Sequence, residues 1–174
     1  LVEDDRVILA DHFGGTPGFY HSVASGDPTH DSIVLWTRYT PTSVEEEVTV
    51  EVRMALLKDE SEPTDALLDP SQNADLFVQT ITTTQDHDFI VKVDVTGLPA
   101  NSHFAYVFAT ESEVSDVGLT RTAPGPEDDE DLVYAFFSCS HFTNGYFHPY
   151  DVASIIQDLD VWIHVGDYYY EYGA

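Results

Sequence analysis

Alternating hydrophobic and polar positions dominate the first two thirds of the chain. Apolar side chains occupy every second position from Val48 to Met54, and the same period of two recurs over Phe89–Val95 and Phe104–Phe108. A β-strand with one buried face produces this pattern, because successive side chains point to opposite sides of a sheet. Ser32–Arg38 and Asp75–Thr82 are predicted to be further strands.

Turn residues separate these strands at short intervals, and no helical periodicity interrupts residues 20–122. The turns are predicted at Ser25–Pro28, Asp69–Ser71 and Gly97–Pro99. Roughly 100 residues of short strands with regular turns are typical of an antiparallel sandwich of the immunoglobulin or fibronectin type III kind. Trp36 lies within an apolar strand and is expected in the core.

The pattern changes after residues 123–131, which contain two prolines and five acidic residues and have no apolar periodicity. Leu132–Phe137 is a continuous apolar run, as in a strand buried on both faces. Pro149–Leu159 is predicted to be a helix, because Pro149 suits its first turn and apolar residues share one face. With Val161–Val165 as a second buried strand, this stretch forms one β-α-β unit.

The chain therefore has three predicted parts: a sandwich over residues 1–122, an exposed acidic linker over 123–131, and the start of an α/β domain over 132–174. Only 43 residues follow the linker. A stable sheet needs about three strands or more, and the β-α-β unit supplies two. We therefore expect the chain to be a piece of a longer protein.

Net charge is the compositional feature that most restricts function. The chain has 32 acidic residues against six Lys and Arg, which gives a formal net charge of −26 at pH 7. Nucleic acids and anionic membrane surfaces are excluded as partners, because both require a basic patch. The chain has no apolar run of about 18 residues, so no membrane span is predicted. The acidic surface fits plain solvation, life at high salt or calcium binding.

Side chains that could bind a metal follow both strands of the β-α-β unit. Cys139 follows the first strand and Asp167 the second, and ligands of open α/β sheets bind beyond the carboxyl ends of strands. Tyr170 lies three residues after Asp167, so one turn of chain could bring both side chains to one point. Thiolate, carboxylate and phenolate together suit Fe³⁺. Each residue also has an ordinary structural role, as a buried thiol, a helix cap or a packing aromatic.

Four motifs then follow in a specific order. They are Ser22–Pro28 with Ile33–Arg38, Gly118–Pro124, Phe137–Ser140 with Gly145–Phe147 and Tyr150, and His164–Glu171. Together they resemble the alkaline phosphatase D (PhoD-like) family over nearly the whole chain. The resemblance implies a mainly β protein, with a fibronectin type III-like sandwich followed by the first β-α-β unit of a calcineurin-like α/β metallophosphatase domain.

The resemblance also implies a function. Cys139, Asp167 and Tyr170 match the family's iron ligands, and Asp167 would also bridge to calcium, so the implied cofactors are Fe³⁺ and Ca²⁺. The implied substrates are small-molecule phosphate esters, either monoesters or diesters, and the implied location is secreted, extracellular or periplasmic. No catalytic residue beyond the ligands is assigned. The chain ends before the family's Asn and His ligands, so we expect these 174 residues alone to be inactive.

Two other functions stay open at this point. A purple acid phosphatase also joins a β-sandwich to a metal domain with an Asp and a Tyr three residues apart. Ser138-Cys139-Ser140 argues against it, because that class has an Asp-x-His at this position. The other is an acidic, calcium-binding sandwich without catalysis. The chain also departs from the family pattern at Phe104, where a Tyr is usual, and at Pro149, where a small residue is usual.

Overall fold

Residues 7–44, 47–58, 64–156 and 158–170 are described by the computed structural model of the protein. The contacts divide the chain into two units, residues 1–127 and 128–174. The division between them falls inside the acidic segment 123–131. No helix among the described residues is long and apolar enough to cross a bilayer.

Seven strands of the first unit form two antiparallel sheets. They are β1 Val23–Gly26, β2 Ser32–Arg38, β3 Val48–Leu56, β4 Phe77–Thr83, β5 Ile90–Thr96, β6 His103–Ala109 and β7 Gly118–Arg121. One sheet has the strand order β1-β2-β5, and the other has the order β4-β3-β6-β7. This division into three and four strands is a fibronectin type III-like sandwich, which confirms the fold class predicted from the alternation.

The alternating positions of the sequence form the core between these sheets. Val50, Val52, Val91 and Val95 are fully buried, and the aromatic side chains of β6 join them. The whole cluster comprises Ile33, Leu35, Tyr39, Val48, Val50, Val52, Met54, Phe89, Val91, Val93, Val95, Phe104, Tyr106 and Phe108. Phe104 is among its buried members, so the residue that departs from the family pattern packs as a simple apolar side chain.

The four-stranded sheet is also covered on its outer face. Ala105 and Val107 of β6 pack in a second buried cluster with Leu57 and Leu68. Leu68 directly follows a single helical turn, α1 Thr64–Leu67. The expectation that no helix interrupts this region is therefore wrong, since one helical turn is present. Four residues are too few to produce a helical period in the sequence. Two 3₁₀ turns, Ala10–Phe13 and Gln85–His87, lie elsewhere in this unit.

Two further predictions for the sandwich are wrong. Trp36 is half-buried rather than in the core, because its neighbours Leu35 and Thr37 take the inward positions of β2. The predicted turn at Ser25–Pro28 begins two residues later, since Ser25 and Gly26 pair with β2 as the end of β1. Asp27, with a φ of 52°, is the residue that leaves the strand.

A close contact between strands fixes the edge of the larger sheet. Gly118 of β7 lies opposite Tyr106 of β6, and a Cβ added at Gly118 would overlap the Cζ, Cε1 and hydroxyl of that tyrosine. The Tyr106 side chain is buried, and this burial raises its pKa to about 12 while a hydrogen bond from Ser25 opposes the rise. Glycine is therefore required here for space.

Replacing Gly118 by Ala should destabilise the sandwich. The new methyl would force Tyr106 out of its place in a close-packed core, and overpacking of this kind costs about 1–3 kcal/mol. Urea denaturation of the variant should show a lower midpoint at an unchanged slope. Gly97→Ala is not a suitable control, because Gly97 has a φ of 78°; Gly26→Ala is suitable, since a Cβ there meets no atom within 4 Å. Equal stabilities of the Gly118 and Gly26 variants would contradict the packing argument.

The second unit is a β-α-β arrangement, as predicted. β8 Tyr134–Phe137 and β9 Val161–His164 pair in parallel, with Tyr134 opposite Val161 and Phe137 opposite His164. Two short helices connect them, α2 Phe142–Gly145 and α3 His148–Ser154.

Two predictions for this unit are corrected. The helix begins at His148, with Pro149 in its first turn as expected, but it ends at Ser154 rather than at Leu159. The Ser154 hydroxyl donates to the carbonyl oxygen of Asp151, and serine side chains that bond the backbone in this way compete with helical hydrogen bonds. The strands are also not buried on both faces, since Phe136 is 66% exposed and Trp162 is 60% exposed. Two strands and short helices supply too little surface to cover both faces.

Candidate metal centre

The ends of the two parallel strands bring the candidate ligands together. Beyond the strands, the amide of Val165 donates to the carbonyl of Phe137 at 2.9 Å, and the amide of Cys139 donates to the carbonyl of Gly166 at 3.2 Å. The two segments therefore remain paired for two residues after β8 and β9 end. This continued pairing places Cys139 beside Asp167, as the sequence predicts.

One carboxylate oxygen is shared by the three predicted ligands. The Cys139 thiol lies 3.4 Å from Asp167 Oδ2, and the Tyr170 hydroxyl donates to the same oxygen at 3.0 Å. Tyr170 is near Asp167 because it lies only three positions farther along the chain. The structure thus brings together the side chains that the sequence singles out, while their binding of a metal stays a prediction.

The backbone at this point adopts left-handed conformations that side chains rarely take. Cys139 has a φ of 55° and Asp167 a φ of 49°. Gly166, which precedes Asp167 and pairs with Cys139, has a φ of 122°. For a residue other than glycine, such a conformation costs roughly 1–3 kcal/mol, and these residues cluster at functional sites. Two of the three candidate ligands carry this cost. Seven other described non-glycine residues share the conformation, so it does not by itself assign a function to the turn.

The electrostatics of the cluster favour the protonated form of the Tyr170 phenol. Desolvation and the hydrogen bonds with Cys139 and Asp167 raise the pKa of the Tyr170 phenol above its ordinary value, and the neighbouring negative charges act in the same direction. The phenol and the thiol are both positioned to share their protons with one carboxylate.

A trivalent cation fits this donor set. It would take the place of two shared protons and meet three donors that can all become anionic, and a coordinating thiol loses its proton outright. Among the described residues, no three His, Cys, Asp or Glu side chains form a metal-binding group. The third donor here is a phenol, which is not one of those four side-chain types.

Several aromatic and histidine side chains surround the cluster. The His141 ring lies 5.4 Å from the Tyr170 ring, and His141 Nδ1 is 2.7 Å from the Thr143 hydroxyl. His164 Nε2 lies 3.0 Å from the Tyr150 hydroxyl. The sequence analysis assigned no individual role to these histidines or to Tyr150. The one available signal was the position of His164, two residues before the glycine of the turn.

Comparison with known proteins places both units in one family. The model of the PhoD-like phosphatase N-terminal domain matches residues 8–124, which is more than half of the chain, and the model of the PhoD-like phosphatase matches residues 134–174. The chain belongs to the PhoD-like phosphatase family. The resemblance seen in the four sequence motifs is thereby confirmed.

Two relatives of this PhoD-like chain agree with that assignment. Alkaline phosphatase D of Bacillus subtilis (strain 168) is 34% identical over 178 aligned positions, which cover 97% of this chain and 28% of that protein. A solved structure described as that of PhoD superposes with a TM-score of 0.72 and 34% identity, covering 90% of this chain and 29% of that one. The chain thus spans somewhat more than a quarter of the length of these relatives.

Proposed function

We propose that the protein hydrolyses small-molecule phosphate esters with a metal centre of Fe³⁺ and Ca²⁺, in which Cys139, Asp167 and Tyr170 bind the iron. The observation that carries the proposal is the meeting of thiol and phenol at the single oxygen Asp167 Oδ2. The family membership of the chain supports a phosphatase activity. The metals and the substrates are our inference from the donor set and from the resemblance.

Such a centre supplies Lewis-acid neutralisation of charge on the phosphoryl oxygens. The residues of this chain prepare the site for it. Asp167 Oδ2 accepts hydrogen bonds from the Cys139 thiol and the Tyr170 hydroxyl, and the paired backbone of Cys139 and Gly166 fixes the spacing of the two segments. Because a metal has to displace those protons, its affinity should fall as the pH falls.

The two alternatives make different predictions about this site. A purple acid phosphatase is disfavoured by the family assignment and by Cys139, which occupies a position where that class has a different motif. A calcium-binding sandwich without catalysis would leave the cluster around Asp167 without a role. The match of residues 134–174 to the PhoD-like phosphatase model favours the metallophosphatase over that second alternative.

Metal removal tests the proposed function. The full natural protein should hydrolyse p-nitrophenyl phosphate or bis(p-nitrophenyl) phosphate, lose the activity on dialysis against a chelator, and regain it only when Fe³⁺ and Ca²⁺ are both restored. The 174-residue chain loaded with the same metals should be inactive, because three donors leave the iron incompletely coordinated. Substrate preference follows from the ratio of kcat/KM for the two esters.

The possible outcomes separate the candidates. Hydrolysis that survives complete removal of metal would contradict the proposal. Calcium binding without hydrolysis of either ester by the full protein would favour the non-catalytic sandwich. Full activity of the 174-residue chain would overturn the expectation that further ligands are required.

A further inference from the structure

A histidine outside the candidate ligand set supports the turn that carries Asp167. The backbone amide of Gly166 donates to Nδ1 of His164 at 3.3 Å. Since Nδ1 accepts this hydrogen bond, the neutral ring carries its proton on Nε2. That nitrogen lies 3.0 Å from the Tyr150 hydroxyl, to which it donates. Both ring nitrogens are therefore engaged.

Tyr150 is itself held by packing. It belongs to α3, and its ring lies 5.0 Å from the ring of Phe137 and 5.6 Å from that of Phe147. Both His164 and Tyr150 are partly buried. The helix thus provides a fixed hydroxyl against which the imidazole is oriented. A ring with two partners has one orientation and one tautomer.

Gly166 is bonded through both of its backbone groups. Its amide donates to His164, and its carbonyl accepts from the amide of Cys139 at 3.2 Å. The next residue, Asp167, stands in a left-handed conformation. The orientation of the peptide groups at Gly166 therefore determines where the Asp167 carboxylate lies relative to Cys139 and Tyr170.

We propose that His164, oriented by Tyr150, is a positioning residue that holds the Gly166–Asp167 turn and so sets the Asp167 carboxylate between Cys139 and Tyr170. The part of this inference that concerns metal affinity rests on the proposed function. The part that concerns the turn does not, because the hydrogen bonds join groups of this chain alone. Partners that orient metal ligands typically contribute about 10- to 100-fold to metal affinity.

Two substitutions, His164→Asn and His164→Gln, test whether the acceptor at the position of Nδ1 is required or whether any polar side chain is sufficient. Asn commonly accepts a hydrogen bond from the backbone amide two residues later, so His164→Asn can replace Nδ1 as the partner of Gly166. Gln places its polar atoms one carbon farther out, nearer to the position of Nε2. His164→Gln should therefore lose the bond to Gly166, and His164→Asn should keep it.

The first measurement is the rate of amide hydrogen exchange at Gly166 in the full natural protein prepared without metal. Loss of one hydrogen bond should speed exchange by about two- to tenfold in His164→Gln, whereas His164→Asn should stay near the wild type. Tyr150→Phe keeps the aromatic packing and removes the hydroxyl, so its rate should fall between them. His148→Asn is the matched control, since His148 is an exposed histidine of α3 whose ring contacts Tyr146.

The second measurement is Fe³⁺ affinity of the full natural protein, by competition with a chelator. His164→Gln should bind iron about 10- to 100-fold more weakly, and His164→Asn and His148→Asn should be close to the wild type. Unchanged Gly166 exchange in both His164→Gln and Tyr150→Phe would overturn the positioning role. If Gly166 exchange changes as expected while the wild type binds no iron, the proposed function fails and the positioning of the turn stands.

Discussion

Replacing Tyr170 by Phe is expected to remove most of the visible absorption of the iron-loaded protein. A phenolate bound to Fe³⁺ gives a charge-transfer band, and Tyr170 is the phenol whose hydroxyl contacts the Asp167 carboxylate. Phe keeps the ring and its contact with His141 but has no oxygen to bind the metal. A remaining weaker band would come from the Cys139 thiolate. The measurement is the absorption spectrum at equal iron content.

The chain offers a matched control two residues away. Tyr168 is 63% exposed, and its ring contacts His164 rather than the cluster. Tyr168→Phe should therefore leave the band unchanged. A colourless wild type with bound iron, or loss of the band in Tyr168→Phe instead of Tyr170→Phe, would show that the ligand assignment is wrong. Iron content has to be measured in each variant, because weaker binding alone would also reduce absorption.

The sandwich was largely predictable because the alternation of apolar and polar residues in a strand indicates which side chains face the core. Val48–Met54 alternates in the sequence and alternates between buried and exposed in the structure. The prediction for Trp36 was wrong because it relied on hydrophobicity alone. Its position next to Leu35 in the strand places it on the opposite face, away from the core. Two strands of the sandwich, β1 and β7, were not predicted. Ser25 and Gly26 of β1 are typical turn residues, and only their pairing with β2 makes them part of a strand.

The candidate site was predictable to the extent that it depends on strand ends. Two adjacent parallel strands place Cys139 and Asp167 at one edge, and a spacing of three residues brings Tyr170 near. The support from His164 and Tyr150 was not predictable, since it depends on where α3 lies against the sheet and on the orientation of one imidazole. The left-handed conformations of Cys139 and Asp167 were not predictable either, because Cys and Asp in a sequence do not indicate a positive φ as glycine does.

The protein is expected to become more stable as the salt concentration rises. With 32 acidic residues against six basic ones, like charges repel each other more in the folded chain than in the expanded unfolded chain. Raising NaCl from about 0.01 M to 1 M shortens the screening length from roughly 30 Å to 3 Å. Each kcal/mol of repulsion relieved would raise Tm by roughly 2–4 °C for a chain of this size. Thermal melts across this range measure the effect.

Salt should weaken few favourable interactions in return. Arg38 pairs with Asp88 at 2.9 Å. The Arg38 side chain is only 6% exposed and Asp88 is half exposed, so salt screens this pair less than a fully exposed one. Arg53 pairs with Glu51 in a partly buried setting. The stability lost by weakening the described ion pairs should therefore be smaller than the stability gained by screening the repulsion among acidic residues. NaCl is preferable to sulfate in this test, because sulfate also strengthens hydrophobic burial.

The acidic segment provides the matched variant for the same experiment. Residues 127–131 are five consecutive exposed acidic residues. Replacing them by the corresponding amides removes five negative charges at little cost in packing, so this variant should melt higher at low salt and respond less to NaCl. If Tm of the wild type stays flat or falls with NaCl, the negative charge is ordinary solvated surface and repulsion does not limit stability. If the wild type responds but the amide variant responds equally, the relevant repulsion lies among the acidic residues outside 127–131, and the same substitution should then be made on the exposed positions of the sandwich strands.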